Sequence, residues 1–116
     1  MTIPPAPALA ALLAGTHYLP AGAFAWQEKH PGYWEATLHQ DPAKGERTLL
    51  MRMAPGVRFG LHAHEGEREQ IYVLSGAFRD QNRTLRAGDY ACREPGAPHS
   101  TDCDEDCLAL LVYTRV

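Results

Sequence analysis

The sequence predicts an all-β fold, two packed sheets of the jelly-roll kind closing into a small barrel, and three observations predict it. Short runs rich in β-branched, aromatic and aliphatic residues recur along most of the chain. Turn signals separate them at regular intervals, as at His30-Pro31-Gly32, Asp41-Pro42-Ala43-Lys44-Gly45, Ala54-Pro55-Gly56 and Ala87-Gly88-Asp89. Within the runs the polarity alternates with the period of two that a half-buried strand requires. Many short strands joined by Gly/Pro turns form sandwiches or small barrels, which hide their edges.

Taken in order, residues 1–15 (MTIPPAPALAALLAG) read as a short N-terminal helix or an apolar arm. Pro4 and Pro5 suit a helix start, the Ala/Leu run propagates it, and Gly15 can stop it. From His17 the texture turns to β. Strands are expected over residues 24–28, 33–39 and 46–53. In the last of these Leu49, Met51 and Met53 share one face, and Leu50 and Arg52 the other. A histidine-bearing strand follows Gly56. Further strands are expected at 69–74, 77–80, 84–86 and 90–94, then a tight loop at 95–98 and a final apolar strand at 107–114. At 116 residues this is one domain: 1–32 an arm and first strand, 33–114 a barrel.

Composition excludes several classes. Charged residues are 22% and hydrophobic ones 45%, ordinary globular material. A net charge of -3 without a basic stripe argues against nucleic acid. The longest apolar runs, residues 6–14 and 107–113, are too short for a membrane-spanning helix. The N-terminus has no Lys or Arg before its apolar stretch, so no secretory signal is expected. Three cysteines without framework spacing point to a reducing, cytoplasmic home.

Chemistry concentrates in residues 56–76, GVRFGLHAHEGEREQIYVLSG. His62 and His64 are two apart, so on a strand both imidazoles point the same way, about 7 Å apart at the backbone. They can share one ion. Glu69, five residues on, can add a carboxylate from the neighbouring strand. A helical reading fails, because residues two apart do not share a helix face. A mixed nitrogen and oxygen donor set with open positions suits non-haem iron better than a closed structural zinc site. Alternation places Ile71 and Val73 on the face of Glu69, making them better pocket candidates than Tyr72, beside Met51, Phe59 and Tyr90. Glu65 and Glu67 read as a solvated loop, and His17, His30 and His39 as surface residues.

The spacing Gly56, His62-Ala63-His64, Glu69, Gly76 resembles the first signature of the cupin superfamily. Gly88-Asp89 through Pro95-Gly96-Ala97-Pro98-His99 resembles the second. The run at residues 66–80 is most similar to the branch holding the cupin domain of the anti-sigma factor ChrR, with small β-diketone-cleaving dioxygenases close by. The resemblance covers residues 33–114. It implies one divalent metal at His62, His64, Glu69 and His99, with Fe(II) favoured and Zn, Ni or Mn as alternatives. The chain departs from the pattern at Glu94, where the motif has a proline, and at Cys103, where it often has Asn. Glu94 could resemble a substrate-side base if it points inward, or be a solvated strand-end carboxylate. Cys103 and Cys107 read as ordinary thiols, because flanking carboxylates raise a thiol's pKa.

Two functions follow as expectations. One is a metal-dependent, dioxygenase-like enzyme whose ion polarises a small diketone or enolisable substrate. The other is a non-enzymatic metal or ligand sensor like the ChrR cupin. A complete anti-sigma factor is not expected, since residues 1–32 hold no Cys/His cluster. The apolar arm and the resemblance both imply a homodimer.

Overall fold

The computed structural model describes residues 15–116. The helix or arm expected over 1–15 lies outside these, Gly15 excepted. The first regular feature is a single 3-10 turn at Ala21–Ala23. Ten strands follow: β1 Trp26–His30, β2 Tyr33–Asp41, β3 Glu46–Met53, β4 Arg58–His62, β5 Glu67–Ser75, β6 Ala77–Asp80, β7 Arg83–Arg86, β8 Tyr90–Arg93, β9 His99–Asp102 and β10 Cys107–Arg115. They form two antiparallel sheets, one in the order β1-β2-β3-β10-β5-β8 and one in the order β4-β9-β6-β7. The expected all-β cupin fold is the observed one. Among the described residues no helix is long and apolar enough to cross a membrane.

The core lies between the sheets and is built by strict alternation. On β3 the inward face is Leu49, Met51 and Met53; on β10 it is Cys107, Ala109, Leu111 and Tyr113; on β5 it is Glu69, Ile71 and Val73. Register locks these faces together, with β10 setting Leu111 between Leu49 and Ile71 and Tyr113 between Arg47 and Glu69. The smaller sheet contributes Phe78 and Leu85, and Val57 closes the cluster from the start of the histidine segment. Tyr72, as expected from its parity, faces outward and is 45% exposed.

The turns do what their residues suggest. Gly32, after Pro31, has φ +79° and lets β1 fold back on β2. Gly76 has φ +72°, and a Cβ there would meet the backbone oxygen of Asp106. That glycine is where the chain leaves the large sheet at β5 and enters the small one at β6.

One strand was not anticipated, and one sequence expectation needs correction. The segment after the Pro95-Gly96 turn is a strand, β9, which no apolar run announced. His99-Ser100-Thr101-Asp102 is polar throughout, but His99 and Thr101 turn inward while Ser100 and Asp102 are less buried. The strand of the histidine pair also ends at His62, and Glu69 is not on its neighbour. β4 pairs with β9, whereas β5 belongs to the opposite sheet. Glu69 therefore reaches the histidines across the sandwich.

Candidate metal centre

Three histidines meet at the open end of the barrel. His62 is the last residue of β4 and His99 the first of β9, and the two are register partners. His64 lies past the strand end, held by its own carbonyl, which accepts the Gly96 N–H at 2.9 Å. That bond clips the Pro95-Gly96 turn onto the histidine segment. The ring centroids stand 4.1 Å (His62–His99), 5.1 Å (His64–His99) and 5.4 Å (His62–His64) apart. Each ring offers one nitrogen, and these lie within 4.8 Å of one another, so the three could hold a metal ion. Burial is graded: His62 is exposed, His64 partly covered, and His99 only 3% exposed.

Backbone carbonyls orient two of the rings. His62 Nδ1 lies 2.6 Å from the Gly60 oxygen and His99 Nδ1 lies 3.2 Å from the Ala97 oxygen. Each Nδ1–H donates to its carbonyl, which leaves Nε2 as the lone-pair acceptor an ion requires. Burial holds the His99 pKa below its ordinary value and outweighs the opposing hydrogen bond to Ala97, which keeps the ring neutral.

Glu69 is the fourth expected donor, and its two oxygens are divided. Oε2 lies 3.5 Å from His64 Nε2, while Oε1 accepts from Arg93 Nε at 2.8 Å. Arg93 donates its other arm to Asp80 Oδ2 at 2.7 Å. A buried carboxylate–guanidinium–carboxylate chain thus runs from the histidines on one side to β6 on the other. Burial works against the charge on Arg93, but its bonds to Asp80 and Glu69 prevail and raise its pKa. The donor set fits a divalent ion: three imidazoles, one carboxylate oxygen facing them, and no thiol in the cluster.

Glu94 is not brought to this site. Arg93 takes the inward position at the end of β8, so the next residue turns out. Its carboxylate is exposed and accepts from Arg68 Nε at 3.0 Å, which holds its pKa below the usual carboxylate range. The solvated alternative is the observed one, with Arg68 rather than Arg93 as its partner.

The triad opens into a cavity of about 230 Å³ between the sheets. Met51, Phe59 and Ile71 line it as expected, but Tyr90 and Tyr72 do not, and Val73 is packed in the core. Sequence reasoning missed Tyr33, Glu35, Arg47, Arg93 and Tyr113. Tyr33 donates to Glu35 Oε2 at 2.6 Å, and Arg47 stacks over the Tyr113 ring, 4.0 Å from its centroid. Burial, first of all, pushes the Tyr33 and Tyr113 phenols far up, so both remain protonated donors. Their strand parity was the available signal: 33 and 35 alternate on one face, as do 47, 49 and 51.

Comparison with known proteins places this arrangement. The ChrR cupin-like domain family matches residues 15–116. Over 70 residues the chain is 36% identical to the oxalate-binding protein of Thermotoga maritima, covering 53% of this chain and 58% of that protein. The chain thus spans little more than half the length of that relative. A chain of the Rhodobacter sphaeroides SigE complex with the anti-sigma ChrR superposes with a TM-score of 0.68 at 26% identity, over 93% of this chain and 56% of that one. KdgF from Halomonas sp. superposes with a TM-score of 0.76 at 19% identity, over 86% and 94%, a likeness of fold alone. With the family pattern running from Gly15 to the last residue and the histidines gathered at the barrel mouth, the chain belongs to the ChrR cupin-like domain family.

Proposed function

We propose that the protein binds one divalent ion, Fe(II) by preference, through His62, His64 and His99 with Glu69 as fourth donor. On this reading it acts on a small enolisable, diketone-type substrate as a dioxygenase-like enzyme. The observation that carries it is three imidazoles with converging nitrogens beside a half-held carboxylate, at the head of a small cavity. Bound there, the ion would supply Lewis-acid polarisation of substrate oxygens. The rest is the work of side chains. Arg93 fixes Glu69 so that only Oε2 faces the histidines. Phe59, Met51 and Ile71 give the cavity apolar walls that exclude water. On this reading Glu35, which lines the cavity and accepts a hydrogen bond from Tyr33, takes the proton from an enolisable carbon. A role for Glu94 would have to be exerted from outside the cavity.

A second reading, ligand sensing without turnover, is favoured by the likeness to the ChrR complex and the oxalate-binding relative. Oxalate and an enolised diketone share one chemistry, two oxygens presented to one ion. The protein is first purified without added metal or chelator and its metal content measured. It is then loaded with Fe(II) and oxygen consumption followed with acetylacetone. One iron per chain with stoichiometric oxygen uptake supports the enzyme; one ion per chain without uptake supports the sensor. No ion at all would sink both. We further propose a homodimer in a reducing, cytoplasmic setting. Tyr72, Leu74 and Tyr90 exposed on the outer face of the large sheet support the first, and three free cysteines the second.

A further inference from the structure

We propose that Arg47 forms an anion subsite in the cavity, so that the favoured ligand is an enolisable chelator that also carries a carboxylate. This names the substrate class of the site above, and rests on the reading that the triad holds a divalent ion. Two guanidiniums line the cavity, and they are in different states. Arg93 is buried and its charge is already met by two carboxylates, Glu69 at 2.8 Å and Asp80 at 2.7 Å. Among the described residues Arg47 has one carboxylate within ion-pair distance, Glu67 at 3.8 Å, beyond hydrogen-bonding distance and with both side chains more than a third exposed.

Arg47 is nevertheless held in place. Its guanidinium carbon sits over the Tyr113 ring, 4.0 Å from the centroid, and the same ring stands 5.9 Å from the His64 ring. Tyr113 thus neighbours both the cation and one ring of the triad. A molecule lying along this ring would present oxygens to the histidine end and a terminal carboxylate to the fork of Arg47, which matches a planar carboxylate with two parallel N–H donors.

The charges set a condition. Glu35 and Glu69 in the cavity lining, with the Asp80 bonded to Arg93, outnumber the two arginines. The excess positive charge that retains an anion therefore comes only with the divalent ion, and anion binding should require it.

The test uses the full chain loaded with Zn(II), which is redox-inert, and isothermal titration with two ligands of equal length. These are 2-oxoglutarate and 2-oxopentanoate, which differ only in a terminal carboxylate against a methyl. The loaded wild type should bind 2-oxoglutarate about tenfold or more tightly than 2-oxopentanoate, and the metal-free protein should bind neither. Arg47→Gln should abolish the preference while keeping one zinc per chain and unchanged affinity for 2-oxopentanoate, and Arg47→Lys should restore part of it. Equal affinities in the wild type overturn the subsite, as does a preference that survives Arg47→Gln or zinc removal. If zinc binds at one per chain and neither ligand does, the subsite fails and the metal reading stands. Failure to take up any ion brings down both, and metal content tells the two failures apart.

Discussion

The residue that ties the site to the fold is Arg93. It is buried, and both of its partners, Glu69 and Asp80, are largely buried too. One Asp80 oxygen, Oδ1, has no hydrogen-bond partner, so that carboxylate depends on the single bond from Arg93. Removing the guanidinium leaves two carboxylates uncompensated in the interior. Arg93→Met is expected to cost about 3 to 5 kcal/mol in urea unfolding, with Arg93→Lys intermediate. His62 and His64 carry no such load, since neither belongs to the buried cluster. His62→Ala or His64→Ala should remove most of the bound metal, measured by elemental analysis, while the circular dichroism spectrum stays native. Loss of folding together with metal would mean the site is structural. The thiols divide in the same way. Cys92 is exposed, whereas burial raises the pKa of Cys103 and pushes that of Cys107 up to about 12. A thiol reagent near neutral pH should modify one cysteine per native chain, Cys92, and all three only after unfolding.

At the scale of elements, the site depends on two turns. Gly96, with φ +82°, donates to the His64 carbonyl and sets the start of β9, so one turn places His64 and His99 together. Gly76 makes the crossing from β5 to β6 and meets the Asp106 backbone closely. Gly76→Ala combines an unfavourable φ with a backbone clash, and its expected cost is at least about 2 kcal/mol in chemical denaturation. A milder loss would mean that the 104–106 turn can move aside. The alternation on β3, β5 and β10 was legible in the sequence because apolar and polar residues swap sides visibly. β9 was not, because its four residues are all polar and its inward pair is a histidine and a threonine.

Across the whole molecule, the sheets put His62 on β4, His64 just past its end and His99 on β9, with Glu69 facing them from β5 on the other sheet. A chain that aligned all four donors on one sheet would leave no cavity between them. The outer face of the large sheet carries Tyr72, Leu74 and Tyr90 in the open. Light scattering of the purified chain is expected to give the mass of a dimer; a monomer at micromolar concentration would count against that association.

Local chemistry was enough to determine part of this protein. Period-two alternation and Gly/Pro turns specify strands and their inward faces, and the spacing of His62, His64, Glu69, Gly76 and His99 marks both the family and the candidate site. Tertiary structure alone decided which sheet each donor comes from, because strand pairing between distant segments has no local signature. It also decided that Arg93 faces inward and Glu94 outward, and that Arg47, Tyr113 and Tyr33 share a cavity with the triad. A side chain's partner is set by what lies across the sandwich, and that neighbour is remote in sequence.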